Sequence, residues 1–391
     1  MHFKGLTVAV PREIMAGEKR VAVIPETVKK FTEAGAKVLI ETGAGADAYY
    51  EDEAYRLAGA EIMPSAPEIY HNADIILKVK EPQFDEKTGK HETDYYPDNK
   101  VLVCFIHPAN PVNHDLVKKL AAKNITSFTL DSIPRISRAQ QMDALTSMST
   151  VAGYRAVVTA AYHLNRFVPL IPMAFGMIPP AEVLIVGVGV AGLQAAATAK
   201  RLGAKVKALD IRPEANEQAL SLGLEVIPFE LPEGLGCGEG GYARRLPEEW
   251  YMREREMLAP HVARSDVVIL GALVPGEKAP LLLNRSMLEE MKKGSVVVDI
   301  SIDQGGNCEL SRPGEEYDYQ GIFISGLANL PAYMPVASTQ MFAQNVWHYL
   351  RHIVKNGSID QDSDDEIIRN SLVTKGSRIV HKGTIEAMES N

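Results

Sequence analysis

Short runs of apolar residues alternate along this chain with segments whose apolar positions recur every three or four places. Residues 7–10, 38–40, 75–79, 101–106 and 126–130 have the continuous apolar character of strands buried on both faces. Between them, residues 25–34, 66–72 and 114–123 carry helical spacing. Asn113 or His114 is placed to open one of these helices, and Gly35 to close another. Such alternation predicts α/β structure up to about residue 130, a parallel sheet wound with helices on both faces.

The pattern then changes. Residues 134–143 are polar, and from Met142 apolar residues fall at Leu145, Met148, Ala152, Ala156 and Ala160, a stripe that predicts a long helix to His163. Residues 183–330 resume the strand and helix alternation, with strands near Val183, Val206, Val267, Val296 and Phe323. Beyond Pro331 a helical run over 340–354, with Met341, Phe342, Val346, Leu350 and Ile353 on one face, is expected to return and pack on the first domain. The tail from 358 is acidic over 360–366, which reads as a solvated face, and then weakly strand-like. One insertion breaks the second alternation: Gly234, Gly236, Gly238, Gly240 and Gly241, followed by Tyr242, suit a mobile flap or a plain surface loop.

Within the second alternation, a strand from Val183 runs into Gly187-Val-Gly189-Val-Ala-Gly192, which opens an Ala-rich helix. Gly187 allows the tight turn, Gly189 lets backbone approach a pyrophosphate, and Gly192 lets the helix pack closely on the sheet. The helix N-terminus then presents its free N–H groups to the phosphates. Asp210 ends the next strand, placed to accept from both ribose hydroxyls, which argues for NAD(H); Arg212 beside it is the residue that would favour a 2′-phosphate. The fold class expected is two Rossmann-like doubly wound parallel-sheet domains joined by long helices. Residues 1–133 with 335–391 would make a discontinuous N-terminal domain, and 134–334 the nucleotide domain.

Composition narrows the partners. A net charge of −9 over 391 residues argues against nucleic acid and gives no basic stripe for lipid. The N-terminus has no apolar core of signal-peptide length and no stretch is long enough to span a membrane, so direct insertion is not expected. Cys104, Cys237 and Cys308 fit neither a disulfide framework nor a metal pattern, which points to a reducing compartment and no metal.

Two constellations remain. Arg135, Arg138, Gln140 and Asp143 lie in one short loop before a helix, either as capping groups or as a loop projecting over a nicotinamide. Hydride transfer between two nicotinamides moves no proton, so it needs ring positioning and exclusion of water rather than an acid and a base. The second set is Arg20, Lys80, His107 and Asp303, of which Lys80, His107 and Asp303 sit at or just beyond strand C-termini. A basic pair for a carboxylate, with His107 and Asp303 for proton transfer, would make a 2-oxo-acid or amino-acid dehydrogenase site. Each of these residues alone is ordinary as structure. The stretch 271–278 mimics a Walker loop but Glu277 separates its glycine from Lys278, and 43–47 reads as a plain turn.

With Pro134-Arg-Ile-Ser-Arg-Ala-Gln-Gln-Met-Asp143, Ala152-Gly-Tyr-Arg-Ala156, Gly187 to Gln194 and Gly240-Gly-Tyr-Ala243, the chain resembles the NAD(H)-binding alpha subunit of proton-translocating NAD(P) transhydrogenases over nearly its whole length. The resemblance implies a homodimer of two-domain protomers, docked on an NADP(H)-binding domain and a membrane-spanning proton-channel subunit. It implies a cytoplasmic chain, peripheral on the inner membrane face through those partners. By the same resemblance Arg135, Gln140, Asp143 and Thr146, the last in place of a serine, contact the nicotinamide. Gly187, Val188, Gly189, Val190, Ala191, Gly192, Asp210, Ile211, Arg212, Gly271, Ala272 and Leu273 hold the nucleotide, and Tyr242 belongs to a mobile loop over about 232–245. The alanine dehydrogenases share this fold, and Arg20, Lys80, His107 and Asp303 resemble their substrate and proton-transfer residues. The alternative is therefore a stand-alone NAD-dependent alanine dehydrogenase.

Overall fold

Thr7–Val10 forms the strand its apolar run predicts, pairing in parallel with Lys37–Glu41 on one side and Ile75–Leu77 on the other. The computed structural model describes residues 2–232, 234–238, 243–274, 277–361 and 364–389. In the sheet that contains Thr7–Val10 the order is Glu61–Met63, Lys37–Glu41, Thr7–Val10, Ile75–Leu77, Val101–Cys104, Thr126–Thr129, Leu372–Lys375 and Arg378–Ile379. The six strands from the N-terminal half are parallel, whereas Leu372–Lys375 and Arg378–Ile379, from the tail, add antiparallel. Strand order reverses between Thr7–Val10 and Ile75–Leu77, so a crevice is expected beyond their C-terminal ends.

The chain divides into two compact units, Met1–Met148 with Met334–Asn391, and Ser149–Tyr333. In the second unit the order is Glu225–Val226, Lys205–Leu209, Glu182–Val186, Val267–Leu270, Val296–Asp299, Ile322–Ser325 and Glu316–Tyr319. All neighbours are parallel except the last pair, a hairpin at the edge. Here the order reverses between Glu182–Val186 and Val267–Leu270. Both sheets are thus doubly wound, as the alternation predicts.

The division differs from the boundary expected at residue 134, because 134–148 belongs with the first unit. Ala139, Met142, Ala144 and Met148 are buried in one cluster with Phe342, Val346 and Leu350 of the helix Pro335–Ile353. That helix starts earlier than its apolar stripe suggests, with Pro335 in its first turn, where a missing N–H costs nothing. Phe31 meets Trp347 edge-on with ring centroids 4.9 Å apart. Each large side chain buried in this way contributes about 1.5–3 kcal/mol, which is what returns the C-terminal helix to the N-terminal sheet.

The long helix runs Ala144–His163, two residues later than the first apolar position. The strand expected over 75–79 stops at Leu77. Among the described residues no helix is long and apolar enough to cross a membrane, and no group of His, Cys, Asp or Glu is placed to hold a metal.

Candidate functional site

The turn after Glu182–Val186 is built by its glycines. Gly187 has φ +88°, a left-handed conformation, and a Cβ added there would meet Ala272 N at 2.5 Å. A Cβ on Gly192 would lie 2.0 Å from the Gly187 carbonyl oxygen. At Gly189 the nearest atom to such a Cβ is Arg212 Nη2 at 3.8 Å, so the backbone there is open. Gly189 begins the helix Val190–Arg201, and its residue type leaves that end without a side-chain cap. Uncapped N–H groups at an open glycine turn suit an anion. Behind the turn, a Cβ on Gly153 would lie 2.0 Å from the Ala191 carbonyl, so the long helix packs directly on the start of this one.

Asp210, at the end of Lys205–Leu209, is 5% exposed and faces the turn. Its Oδ2 accepts from Val188 N–H at 2.7 Å. Arg212 donates to both oxygens, through Nε at 2.9 Å and Nη2 at 2.8 Å, and this fork raises the guanidinium's already high pKa. The cation expected to attract a 2′-phosphate is therefore tied to the acid expected to bind ribose hydroxyls. Asn216, which no local pattern marked, fixes the Asp210 backbone by donating to its carbonyl at 2.8 Å. Glu254, on the helix Glu248–Arg264, is 2% exposed, and burial with the charge of Asp210 pushes its carboxyl up to about 8.

The glycine-rich insertion reaches the residues just after Asp210. A Cβ on Gly236 would lie 3.0 Å from the Ile211 carbonyl oxygen, and Cys237 Sγ is 3.7 Å from Glu214 Oε2. Tyr242, expected in the flap, lies outside the described residues. All three cysteines are free thiols.

In the first unit, the 134–146 segment is an ordered turn. Ser137–Met142 forms a short 3₁₀ helix that buries Ala139 and Met142 and leaves Arg135 and Gln140 exposed. Asn345 donates to the Gln141 carbonyl at 2.9 Å, and Arg138 pairs with Asp365 at 3.2 Å. Asp143 accepts from Thr146 N–H at 2.8 Å and from Thr146 Oγ1 at 2.6 Å. That is the capping reading of Asp143, and it uses the hydroxyl that a serine would also supply.

The second set divides between the units. Arg20 is buried, and its guanidinium forks onto Glu18 through Nε at 2.7 Å and Nη2 at 2.6 Å. His107 has φ +48°, and its Nδ1 lies 2.9 Å from Asp131 Oδ1. Burial opposes protonation of His107, but Asp131 more than compensates, so its pKa is raised, with Lys80 acting against this. Asp303 belongs to the other unit, where Asn329 N–H binds its carboxylate at 3.1 Å.

The larger feature here is Lys78, which is fully buried with Nζ 3.2 Å from Glu13 and 3.0 Å from Glu92. Glu13 also accepts from Val79 N–H at 2.6 Å, and Tyr70 donates to Glu92 at 2.5 Å. The assigned strand ends at Leu77, yet Lys78 N–H still bonds the Val103 carbonyl at 3.1 Å, and it is Val79 N–H that goes to Glu13 instead. Sequence reasoning missed Glu13, Lys78, Glu92 and Asp131; only the motif LKVKEP, with two lysines following an apolar run, hinted at them.

Residues 9–152 match the alanine dehydrogenase/PNT N-terminal domain, and residues 156–382 match the alanine dehydrogenase/PNT C-terminal domain. Over 380 residues the chain is 40% identical to an NAD(P) transhydrogenase alpha-subunit polypeptide of Rhodospirillum rubrum, covering 96% of this chain and 98% of that one. The crystal structure of transhydrogenase from Sinorhizobium meliloti superposes with a TM-score of 0.82 at 35% identity, covering 96% of this chain and all (100%) of that one. Alanine dehydrogenase of Methanococcus maripaludis is 30% identical, covering 98% of this chain and 96% of that one.

Proposed function

This chain belongs to the alanine dehydrogenase/PNT family, and we propose that within it the chain is the NAD(H)-binding component of a transhydrogenase. Bound NADH supplies the hydride, and NADP⁺ on a separate domain accepts it. Coupling to proton movement belongs to a membrane-spanning subunit, which would hold this chain at the inner membrane face. The residues present suit the cofactor: Gly187, Gly189 and Gly192 make an open, uncapped turn, and Asp210 supplies the acceptor for ribose. Ile211, Gly271 and Leu273 extend the cradle beside Val188, Val190, Ala191, Arg212 and Ala272.

The observation that carries the reading is the turn Ser137–Met142. It is anchored by buried Ala139 and Met142, yet it presents Arg135 and Gln140 outward, with Asp143 and Thr146 locked behind them. A rigid polar surface without an obligatory acid or base suits ring positioning. Added to a transhydrogenase NADP(H)-binding domain, the chain should drive NADH-dependent reduction of an NADP⁺ analogue. Gln140→Asn should lower that rate by roughly 10- to 100-fold while NADH affinity changes little. An unchanged rate would remove Gln140 from the ring contact.

A homodimer accords with the hairpin Ile171–Met173 and Gly176–Ile178, which leaves Phe175 79% and Met177 71% exposed. Sedimentation of the chain as a monomer would refute the dimer. One observation favours the alanine dehydrogenase reading, the His107–Asp131 pair at a strand end. Against it stand Arg20, committed to Glu18, and Asp303, committed to Asn329. Oxidation of NADH by pyruvate and ammonium with no second protein is its test.

A further inference from the structure

The dinucleotide crevice of a doubly wound sheet has two walls. One is the glycine turn after the first strand, with the ribose acid beyond it; the other is the chain leaving the strand across the switch point, which serves the nicotinamide half. In this chain the second wall starts at Gly271–Ala272, against Gly187, and nothing in its own sequence explains its shape. The bonds that hold it come from thirty-five residues away.

Asn307 is completely buried, and its side chain is spent on this wall. Its Oδ1 accepts from Ala272 N–H at 3.0 Å and from Ser301 Oγ at 2.7 Å. Its Nδ2 donates to the Ala272 carbonyl at 2.9 Å and to the Pro280 carbonyl at 2.8 Å. One amide thereby clamps both polar groups of Ala272 and ties the two ends of the 272–280 segment together. Asn307 is itself fixed from below: Asp299, fully buried, accepts from Asn307 N–H at 2.9 Å, Cys308 N–H at 3.0 Å and Ser301 N–H at 3.1 Å. Leu282 and Leu283 N–H groups both bond the Asn307 carbonyl at 2.9 Å. Ala272 lies beyond the end of its strand at Leu270, so a buried, fully satisfied amide takes the place of the sheet ladder there.

We propose that Asn307 is a positioning residue for coenzyme binding, which sets the nicotinamide-side wall at Ala272 without touching the ligand. The proposal rests on the nucleotide reading of the second unit. It predicts a split between the two halves of the coenzyme, because the adenosine half depends on Asp210 and the glycine turn rather than on Ala272.

The test is calorimetric titration of the full chain with NADH and, separately, with 5′-AMP. Asn307→Ala should weaken NADH about tenfold or more and leave 5′-AMP within about twofold, since the buried hydrogen bonds it removes hold only the nicotinamide-side wall. Ser301→Ala, which removes the hydroxyl that bonds Oδ1 at 2.7 Å and the Ala272 carbonyl at 3.3 Å, should show the same split at about two- to fivefold, and it carries the test if Asn307→Ala does not fold. Equal loss of both ligands, or NADH binding like that of the unaltered chain, overturns the inference. Failure of the unaltered chain to bind NADH overturns the nucleotide reading and the inference with it.

Discussion

The two sheets reverse their strand order in the same way, and the ends of the strands that flank the reversal are built from opposite materials. In Ser149–Tyr333 the first strand runs into Gly187, and the backbone at Gly189 is left open. In the first unit Thr7–Val10 runs into Pro11, Arg12 and Glu13, and Lys78 follows the facing strand to sit between Glu13 and Glu92. Topology alone provides a crevice in both places. What differs is whether side chains fill it: glycine leaves peptide N–H groups for a ligand, whereas a lysine with two carboxylates satisfies the strand ends from within.

The sharpest way to break that contrast is to give the second unit a side chain at its turn. Gly192→Val should abolish measurable NADH binding, a loss above 100-fold, and cost about 3 kcal/mol or more of stability, because its Cβ would meet the Gly187 carbonyl at 2.0 Å. Titration and thermal melting check this. NADH affinity equal to that of the unaltered chain would mean that the open turn is no different in kind from its counterpart.

Lys78→Met probes the filled strand ends. Removing the cation strands Glu13 and Glu92 in a buried site, and the expected cost is about 3–5 kcal/mol in a denaturant titration, while the folded fraction keeps its NADH affinity. A large loss of NADH affinity at unchanged stability would make Lys78 a member of a site rather than its replacement.

The smallest effect is in pH dependence, and here both units should respond. Burial, partly offset by Lys78, lifts Glu13 from 4.5 to about 7, and burial with Asp210 lifts Glu254 from 4.5 to about 8. A carboxyl whose folded pKa is raised holds a proton that the unfolded chain releases, so stability falls as pH rises across the interval. Glu13→Gln should flatten the fall between pH 4.5 and 7, and Glu254→Gln the fall between pH 4.5 and 8, in denaturation midpoints measured across pH. Slopes identical to that of the unaltered chain would show that neither carboxyl holds a proton in the folded state.

Much of the architecture was legible because it is written locally. The alternation of apolar runs with helical stripes located all five strands expected in the first half, and Gly187, Gly189, Gly192 and Asp210 stood out by their spacing along one continuous strand, turn, helix and strand. The short strand Glu61–Met63 and the tail strands Leu372–Lys375 and Arg378–Ile379 were not, being too short or too mixed in polarity to stand out from loops. Asp143 was named from sequence, but its bond to the Thr146 hydroxyl had to be seen. The clamp made by Asn307 was unreadable for another reason: the stretch Gly305-Gly-Asn-Cys308 belongs to the family resemblance but says nothing about a carbonyl at position 272.

By itself, then, the sequence determined the periodicities, and with them two wound sheets, a glycine turn and an acid after it, because hydrophobic spacing and backbone freedom are properties of adjacent residues. Tertiary structure alone decided which polar groups became partners. Lys78 between residues 13 and 92, Arg212 folded onto Asp210, and Asn307 clamped on Ala272 are each settled by burial. A polar group removed from water must find a complement wherever the folded chain supplies one, and distance along the sequence does not enter that requirement.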